Sequence, residues 1–281
     1  MTFLRWNFSS RARELSGGDA LIISIPKSGR TWVRTFLCAY FCGKTGQKFT
    51  LEPEHLGGAP SPRIIYSHDR FEQRTKADLW GRVRGKYLIP PAELRRAQII
   101  LLARDPRDAF VSLFVQLTRR TRETAAALKQ KDVGEMLRDP AHGIASIIAT
   151  MNAWWREFNA LPGFQIVRYE ALRADPAGQF RDLLATLGES AIDEAAFAHA
   201  LGFSDFGHMK KMEAAGAFDS KILRPGDVAD PESFKVRKGQ VGGYREYLIG
   251  EDLELADREM RKLDLRFGYS PTGGRALDDP H

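Results

Sequence analysis

Leu21-Ile22-Ile23-Ser24-Ile25 is a short apolar run rich in β-branched residues, and Pro26 to Gly29 break it abruptly before a second apolar stretch, Thr31 to Phe41. A run of that length bounded by turn residues predicts a buried strand, and the longer stretch after it a buried helix. A strand that is apolar without alternation needs cover on both faces, which only a sheet between two helical layers supplies. Three further runs fit the same scheme: Arg63 to Tyr66, Gln98 to Ala103 and Phe164 to Tyr169. Between and after them, Asp108 to Leu117, Ile144 to Asn159 and Ala177 to Leu187 have helical character. This alternation predicts an α/β fold with a central parallel sheet flanked by helices on both faces.

The chain has 281 residues, 43% of them hydrophobic and 28% charged, enough for one large core. It is read as one domain, 1–281, with its core at about 20–250 and peripheral N- and C-terminal segments. Arg119 to Asp139 and Glu213 to Arg237 are polar and read as mobile surface segments, and the tail from Pro271 as loose. The formal net charge of +6 favours a polyanionic ligand but is spread over 42 basic residues, so it does not by itself indicate nucleic acid. Cys38 and Cys42 stand i,i+4 on the expected helix, facing the core, which suits a reducing compartment. Residues 1–10 lack a signal-like apolar stretch, and no apolar run approaches the roughly 18 residues of a transmembrane segment, so a cytoplasmic location is expected.

In an open parallel sheet, ligands bind beyond the C-terminal strand ends, where a helix N-terminus offers free N–H groups and partial positive charge to a phosphate. Ser24-Ile25-Pro26-Lys27-Ser28-Gly29-Arg30-Thr31 sits there and is close to a Walker loop, which makes the sheet P-loop-like. Ser24 replaces the first Gly, Arg30 replaces the usual Lys, and a Lys stands earlier, at Lys27. The loop is competent for phosphate without being a standard triphosphate loop. Read alone, it is also compatible with an ordinary turn and helix cap.

Its continuation, Pro26-Lys27-Ser28-Gly29-Arg30-Thr31-Trp32, resembles the 5′-phosphosulfate loop of the sulfotransferase family that uses 3′-phosphoadenosine 5′-phosphosulfate (PAPS). The resemblance implies that Lys27 reaches the bridging oxygen or the 5′-phosphate and that Trp32 stacks on adenine. It extends to Arg104-Asp105-Pro106-Arg107-Asp108 with Ser112, similar to the family's 3′-phosphate site, and to Arg237-Lys238-Gly239-Gln240-Val241-Gly242, similar to the segment closing over that phosphate. Softer matches are Tyr169-Glu170-Ala171-Leu172, whose Tyr169 would touch the adenine region, and Ser204 with Phe206 before Met209-Lys210. Core packing is the competing reading for both aromatics. His68 follows a strand in the position of the family's general base, and an imidazole suits that task near neutral pH. Asp69 is an alternative means of orienting the ring.

By this resemblance the chain transfers a sulfuryl group from PAPS, leaving PAP, to a hydroxyl or amine. Catalysis falls to His68 and Lys27, and the donor site to Lys27, Ser28, Gly29, Arg30, Thr31, Trp32, Arg104, Ser112, Tyr169, Ser204, Phe206, Arg237, Lys238 and Gly239. No metal is required, because cationic side chains can offset the charge of a sulfuryl group. The acceptor expected is a small molecule with a hydroxyl, whether sugar, phenol or lipid headgroup, held by loops such as 51–62, 71–87 and 119–143. Two departures stand out: Arg30 where the family has Thr, and Tyr66 where it has Lys two residues before the base. A P-loop small-molecule kinase and a non-catalytic nucleotide-binding module remain as alternative readings.

Overall fold

A computed structural model of the chain describes residues 6–51, 61–120, 126–217, 234–236 and 239–271. Four strands, β1 (Ala20–Ser24), β2 (Ile64–Ser67), β3 (Gln98–Ala103) and β4 (Phe164–Arg168), form a parallel sheet in the order β2-β1-β3-β4. Each strand lies within a residue of its expected limits. The register is set by side-chain alternation: Leu21, Ile23, Ile99 and Leu101 join one core, while Ala20, Ile22, Ile100 and Leu102 join the other. Both sets are buried.

The second of these cores lies under α1 (Arg30–Thr45), whose Phe36, Tyr40 and Phe41 are fully buried. Phe36 stacks on Phe180 with ring centroids 3.8 Å apart. Cys38 and Cys42 are buried in the same layer as free thiols. After β2 come α2 (Asp69–Thr75), α3 (Leu79–Val83) and α4 (Pro91–Arg96). After β3 come α5 (Pro106–Val115), a π-helical turn at Gln116–Arg120, α6 (Ala126–Lys129), α7 (Val133–Leu137) and α8 (Ile144–Phe158). Trp154 and Phe158 of α8 are buried against Leu101 and Phe110 in the core of the opposite face. After β4 the chain forms α9 (Tyr169–Ala174), α10 (Pro176–Thr186), α11 (Glu194–Phe203), α12 (Phe206–Ala214) and α13 (Gly250–Met260). The expected α/β architecture is therefore present, helices covering both faces of the sheet. Among the described residues no helix is long and apolar enough to cross a membrane.

Two expectations are corrected. Residues 71–87 are not a loop: they carry most of α2 and all of α3, and Asp69 anchors them by accepting hydrogen bonds from Ile89 N (3.0 Å) and Trp154 Nε1 (2.8 Å). The described part of 119–139 is not a free surface segment either. Asp132 and Glu135 form a capping box that starts α7, and Met136 and Leu137 are buried. Of 213–237, Glu213 is fully buried and accepts from Lys235 N (2.7 Å) and Val236 N (2.9 Å). The rest of that stretch, 218–233 and 237, lies outside the described residues, as does the tail from 272.

Candidate active site

The strand order makes β1 the switch between outward steps to β2 and to β3, and the crevice at such a point is where open sheets bind ligands. A cavity of about 240 Å3 opens there, bordered by residues that follow the C-terminal end of every strand. Residues 26, 27 and 29–32 come from the β1 turn, His68 from β2, Arg104, Asp108 and Ser112 from β3, and Tyr169 and Arg173 from β4.

The β1 turn is shaped for an anion. Lys27 and Gly29 both have left-handed backbone, with φ of 74° and 87°. At Gly29 any Cβ would also stand 2.8 Å from the Tyr169 ring, so only glycine fits. The α1 N-terminus that follows has neither a side-chain cap nor an acidic residue in its first turn, which leaves its backbone N–H groups for a ligand.

Arg104 crosses the cavity wall. Its Nη1 donates to Lys27 O (2.9 Å) and Ser112 Oγ (3.2 Å), its Nη2 donates to Gln240 O (3.0 Å), and its guanidinium lies 4.4 Å over Tyr169. One side chain thus joins the β1 turn, α5 and the 239–244 segment. Asp108 fixes that segment by accepting from Gly242 N (2.7 Å) and Tyr244 N (2.9 Å). Burial pushes the Asp108 carboxyl up in spite of Arg104. Behind it, Glu170 accepts from Asp105 N (3.0 Å) and from the Tyr269 hydroxyl (2.8 Å), locking the ends of β3 and β4 together.

The base position has its own support. His68 Nδ1 lies 2.7 Å from Ser24 O, and because a carbonyl only accepts, Nδ1 carries the proton and Nε2 keeps a lone pair. Burial, then Arg30, holds the imidazole well below its usual range, so it is neutral near pH 7. Asp69 does not orient the ring: its carboxylate is committed to Ile89 and Trp154, and the Ser24 carbonyl does the work instead.

At the far end Trp32 meets Tyr169 edge-on (6.1 Å between centroids) and Phe180 (5.6 Å). Arg173 lies 5.8 Å from Trp32 and 5.6 Å from Phe206. Phe206 in turn packs so closely on Gly239 that a Cβ there would approach its ring to 2.4 Å.

The cavity therefore brings together Lys27, Gly29, Arg30, Thr31, Trp32, His68, Arg104, Ser112, Tyr169, Ser204, Phe206 and Gly239. Ser28 is buried without lining it. Arg237 and Lys238 lie outside the described residues. No described residue of the expected acceptor loops 51–62, 71–87 or 119–143 borders the cavity. Asp108 and Gln240 line it too, both inside motifs the sequence offered but neither assigned a role, while sequence reasoning missed Arg173 and Lys235 altogether. The signal for Arg173 was available, since it stands i,i+4 from Tyr169. Lys235 carries no such local mark.

A sulfotransferase-domain profile matches residues 18–263. The chain belongs to the sulfotransferase family. It is 26% identical over 270 residues to Sulfotransferase 2B1 of Rattus norvegicus, covering 87% of this chain and 70% of that protein. With Cytosolic sulfotransferase 16 of Arabidopsis thaliana the identity is 23% over 247 residues, 83% and 72% of the two chains. Its fold resembles that of mouse sulfotransferase SULT7A1 complexed with PAP (TM-score 0.58, 20% identity, 91% of each chain). Retinol dehydratase in a complex with retinol and PAP is similar in the same way (TM-score 0.60, 15% identity, 96% and 86%). In this sulfotransferase Arg104 Nε and Ser204 Oγ, both on residues that line the cavity, are buried with no partner, donors suited to a phosphorylated ligand.

Proposed function

We propose that this sulfotransferase moves a sulfuryl group from PAPS to a hydroxyl of a small acceptor by in-line displacement, with His68 as general base. The observation that carries the reading is the hydrogen bond of His68 Nδ1 to Ser24 O, which leaves the Nε2 lone pair of a neutral ring on a residue that lines the same cavity as the phosphate-competent turn. PAPS supplies an activated sulfuryl group on a phosphate leaving group. The residues present fit it: the turn at 27–31 and the open α1 N-terminus suit the 5′ end, Arg104 with Ser112 and the Gly239 segment the 3′-phosphate, and Trp32 with Phe206 the base. Arg237 and Lys238 join the 3′ set by the same resemblance.

His68 Nε2 takes the acceptor proton as the acceptor oxygen bonds to sulfur and the sulfur–phosphate bridge breaks. Lys27 offsets the charge left on the departing phosphate. Positioning and fixed positive charge are the terms that dominate the analogous phosphoryl transfers. Family membership disfavours the kinase reading, and a base-competent His68 disfavours a purely binding role.

The test supplies purified protein with labelled PAPS or ATP, with and without magnesium, over a panel of phenols, sugars and lipid alcohols. Metal-independent transfer from PAPS is expected, and His68→Ala lowers turnover by about 10²-fold or more while still binding PAP. Transfer from ATP, or undiminished turnover in His68→Ala, would overturn the reading.

A further inference from the structure

Of the eight large apolar side chains that are exposed among the described residues, five meet in one patch: Trp6, Phe8, Leu79, Trp80 and Val83. On α3, Leu79 and Val83 stand i,i+4 and Trp80 and Val83 i,i+3, so the three share the outer face, while Gly81 is buried against the protein. The N-terminal segment is fastened alongside. Trp6 Nε1 donates to Val83 O (2.5 Å), Phe8 N donates to Arg84 O (3.0 Å), and Asn7 Nδ2 between them donates to Leu88 O (3.0 Å). Gly85 permits this approach, because its backbone is left-handed (φ 64°) and a Cβ there would stand 1.9 Å from Trp6 O. The patch is thus assembled by contacts between residues far apart in the chain, and five clustered apolar side chains are more than the isolated ones a protein surface ordinarily carries.

Its shape and charge say what it fits. Phe8, Leu79 and Trp80 are 80%, 75% and 68% exposed. Side chains that open project from the surface, whereas the walls of a peptide groove would cover them. Arg82, Arg84 and Lys86 are exposed among them, but of the acidic residues between positions 69 and 88 only Asp78 is exposed, Asp69 and Glu72 being buried. Asp78 is moreover engaged as the α3 N-cap, accepting from Gly81 N (2.8 Å). Arg82 is held beside the patch by donating to Arg74 O (3.0 Å) and Ala77 O (3.2 Å), carbonyls that leave its charge uncompensated. A twofold contact between two copies would press these cations together with one exposed carboxylate from each copy to offset them. Projecting apolar groups ringed by cations match the boundary between headgroups and acyl chains of an anionic bilayer, where Trp is enriched and each nearby Lys or Arg adds attraction.

We propose that α3, with Trp6 and Phe8 beside it, docks this protein on the surface of an anionic lipid bilayer, the five apolar side chains entering the interface and Arg82, Arg84 and Lys86 meeting lipid phosphates. This goes beyond sulfuryl transfer: docking requires neither PAPS nor an acceptor, so its test stands apart from that of the reaction.

The experiment sediments the full chain with vesicles of phosphatidylcholine alone and of phosphatidylcholine containing phosphatidylglycerol, and follows the Trp fluorescence maximum. Wild type is expected to partition about tenfold or more better onto the mixed vesicles, with a blue shift on binding and weaker binding as salt rises. Leu79→Ser with Trp80→Ser lowers that partition about tenfold or more at an unchanged urea midpoint, since both side chains are exposed. Arg84→Gln with Lys86→Gln lowers it about tenfold or more, as roughly fivefold for each cation at the surface predicts. Leu265→Ser, at an exposed apolar residue elsewhere, leaves it unchanged. No retention on the mixed vesicles overturns the proposal, and the face then has another occupant, residues 1–5 of the chain or an acidic protein. Retention that ignores Leu79→Ser with Trp80→Ser overturns it too, because the attraction would be that of the net charge alone. Lipid-free dimerisation abolished by the same double variant would make this face a contact between copies, and the proposal fails.

Discussion

His68 shows how a residue with an ordinary pKa class acquires a task from its surroundings. The unfolded chain protonates this imidazole near pH 6.5, whereas burial and Arg30 keep the folded one neutral well below that. The stability it contributes is complete above about pH 6.5 and is lost as pH falls below that value, where the unfolded state binds the extra proton. Asp108 and Glu170, whose carboxyls burial raises, act with the opposite sign in a neighbouring window, so the readout is the difference between wild type and His68→Gln. Between pH 7 and 5 the wild type is expected to lose up to about 2 kcal/mol more unfolding free energy than His68→Gln in urea titrations. Parallel pH profiles would show that the folded imidazole titrates normally. At this scale the sequence carried the candidate base through its place after β2, but not its orientation. Asp69, adjacent in sequence, was the natural guess for the orienting group, and its left-handed backbone (φ 41°) accompanies a carboxylate engaged with Trp154 and Ile89 instead.

Among the elements, α5 has the most to organise. Asp105 caps it by accepting from Arg107 N (2.9 Å), Pro106 starts it, and Asp108 in its first turn holds the 239–244 segment against the cavity. Removing the Asp108 carboxylate leaves two backbone N–H groups without acceptors, each costing about 1–3 kcal/mol when buried. Asp108→Ala is expected to lose about 2–4 kcal/mol in urea unfolding and to bind PAP about tenfold more weakly, because Gly239 and Gln240 are released. Asp108→Asn, which retains one acceptor oxygen, recovers part of both. Unchanged PAP affinity in Asp108→Ala would mean that the segment does not help hold the nucleotide. The strands were legible because continuous apolar runs have few alternatives. The short helices α2, α3 and α7 were not, since five to seven residues give no usable period and long-range contacts such as Arg74 Nη1 to Ser146 Oγ (2.7 Å) hold them.

Across the whole molecule, Arg107 ties these parts together although its sequence motif pointed elsewhere. It is fully buried, pairs with Asp105 (2.7 Å) and with Asp257 of α13 (2.6 Å), and donates to the carbonyls of Ser270 and Pro271 (both 2.9 Å). Its ion pairs and hydrogen bonds hold the guanidinium firmly protonated against the penalty of burial. Arg107→Ala leaves two carboxylates partly buried and uncompensated, and is expected to cost about 3–5 kcal/mol, seen as a lower urea midpoint at unchanged slope. A loss below about 1 kcal/mol would show that the pairs are interchangeable with water. The sequence by itself determined the parallel sheet, the phosphate-competent turn and the family, because each rests on contiguous residues whose burial pattern and backbone demands are local. Only the tertiary structure decided which of two neighbouring groups orients His68, which arginine of the Arg104–Arg107 pair lines the cavity, and which residues complete it. Those outcomes depend on groups far apart in the chain competing for the same hydrogen bonds, a contest whose winner is set by packing and not by position in the sequence.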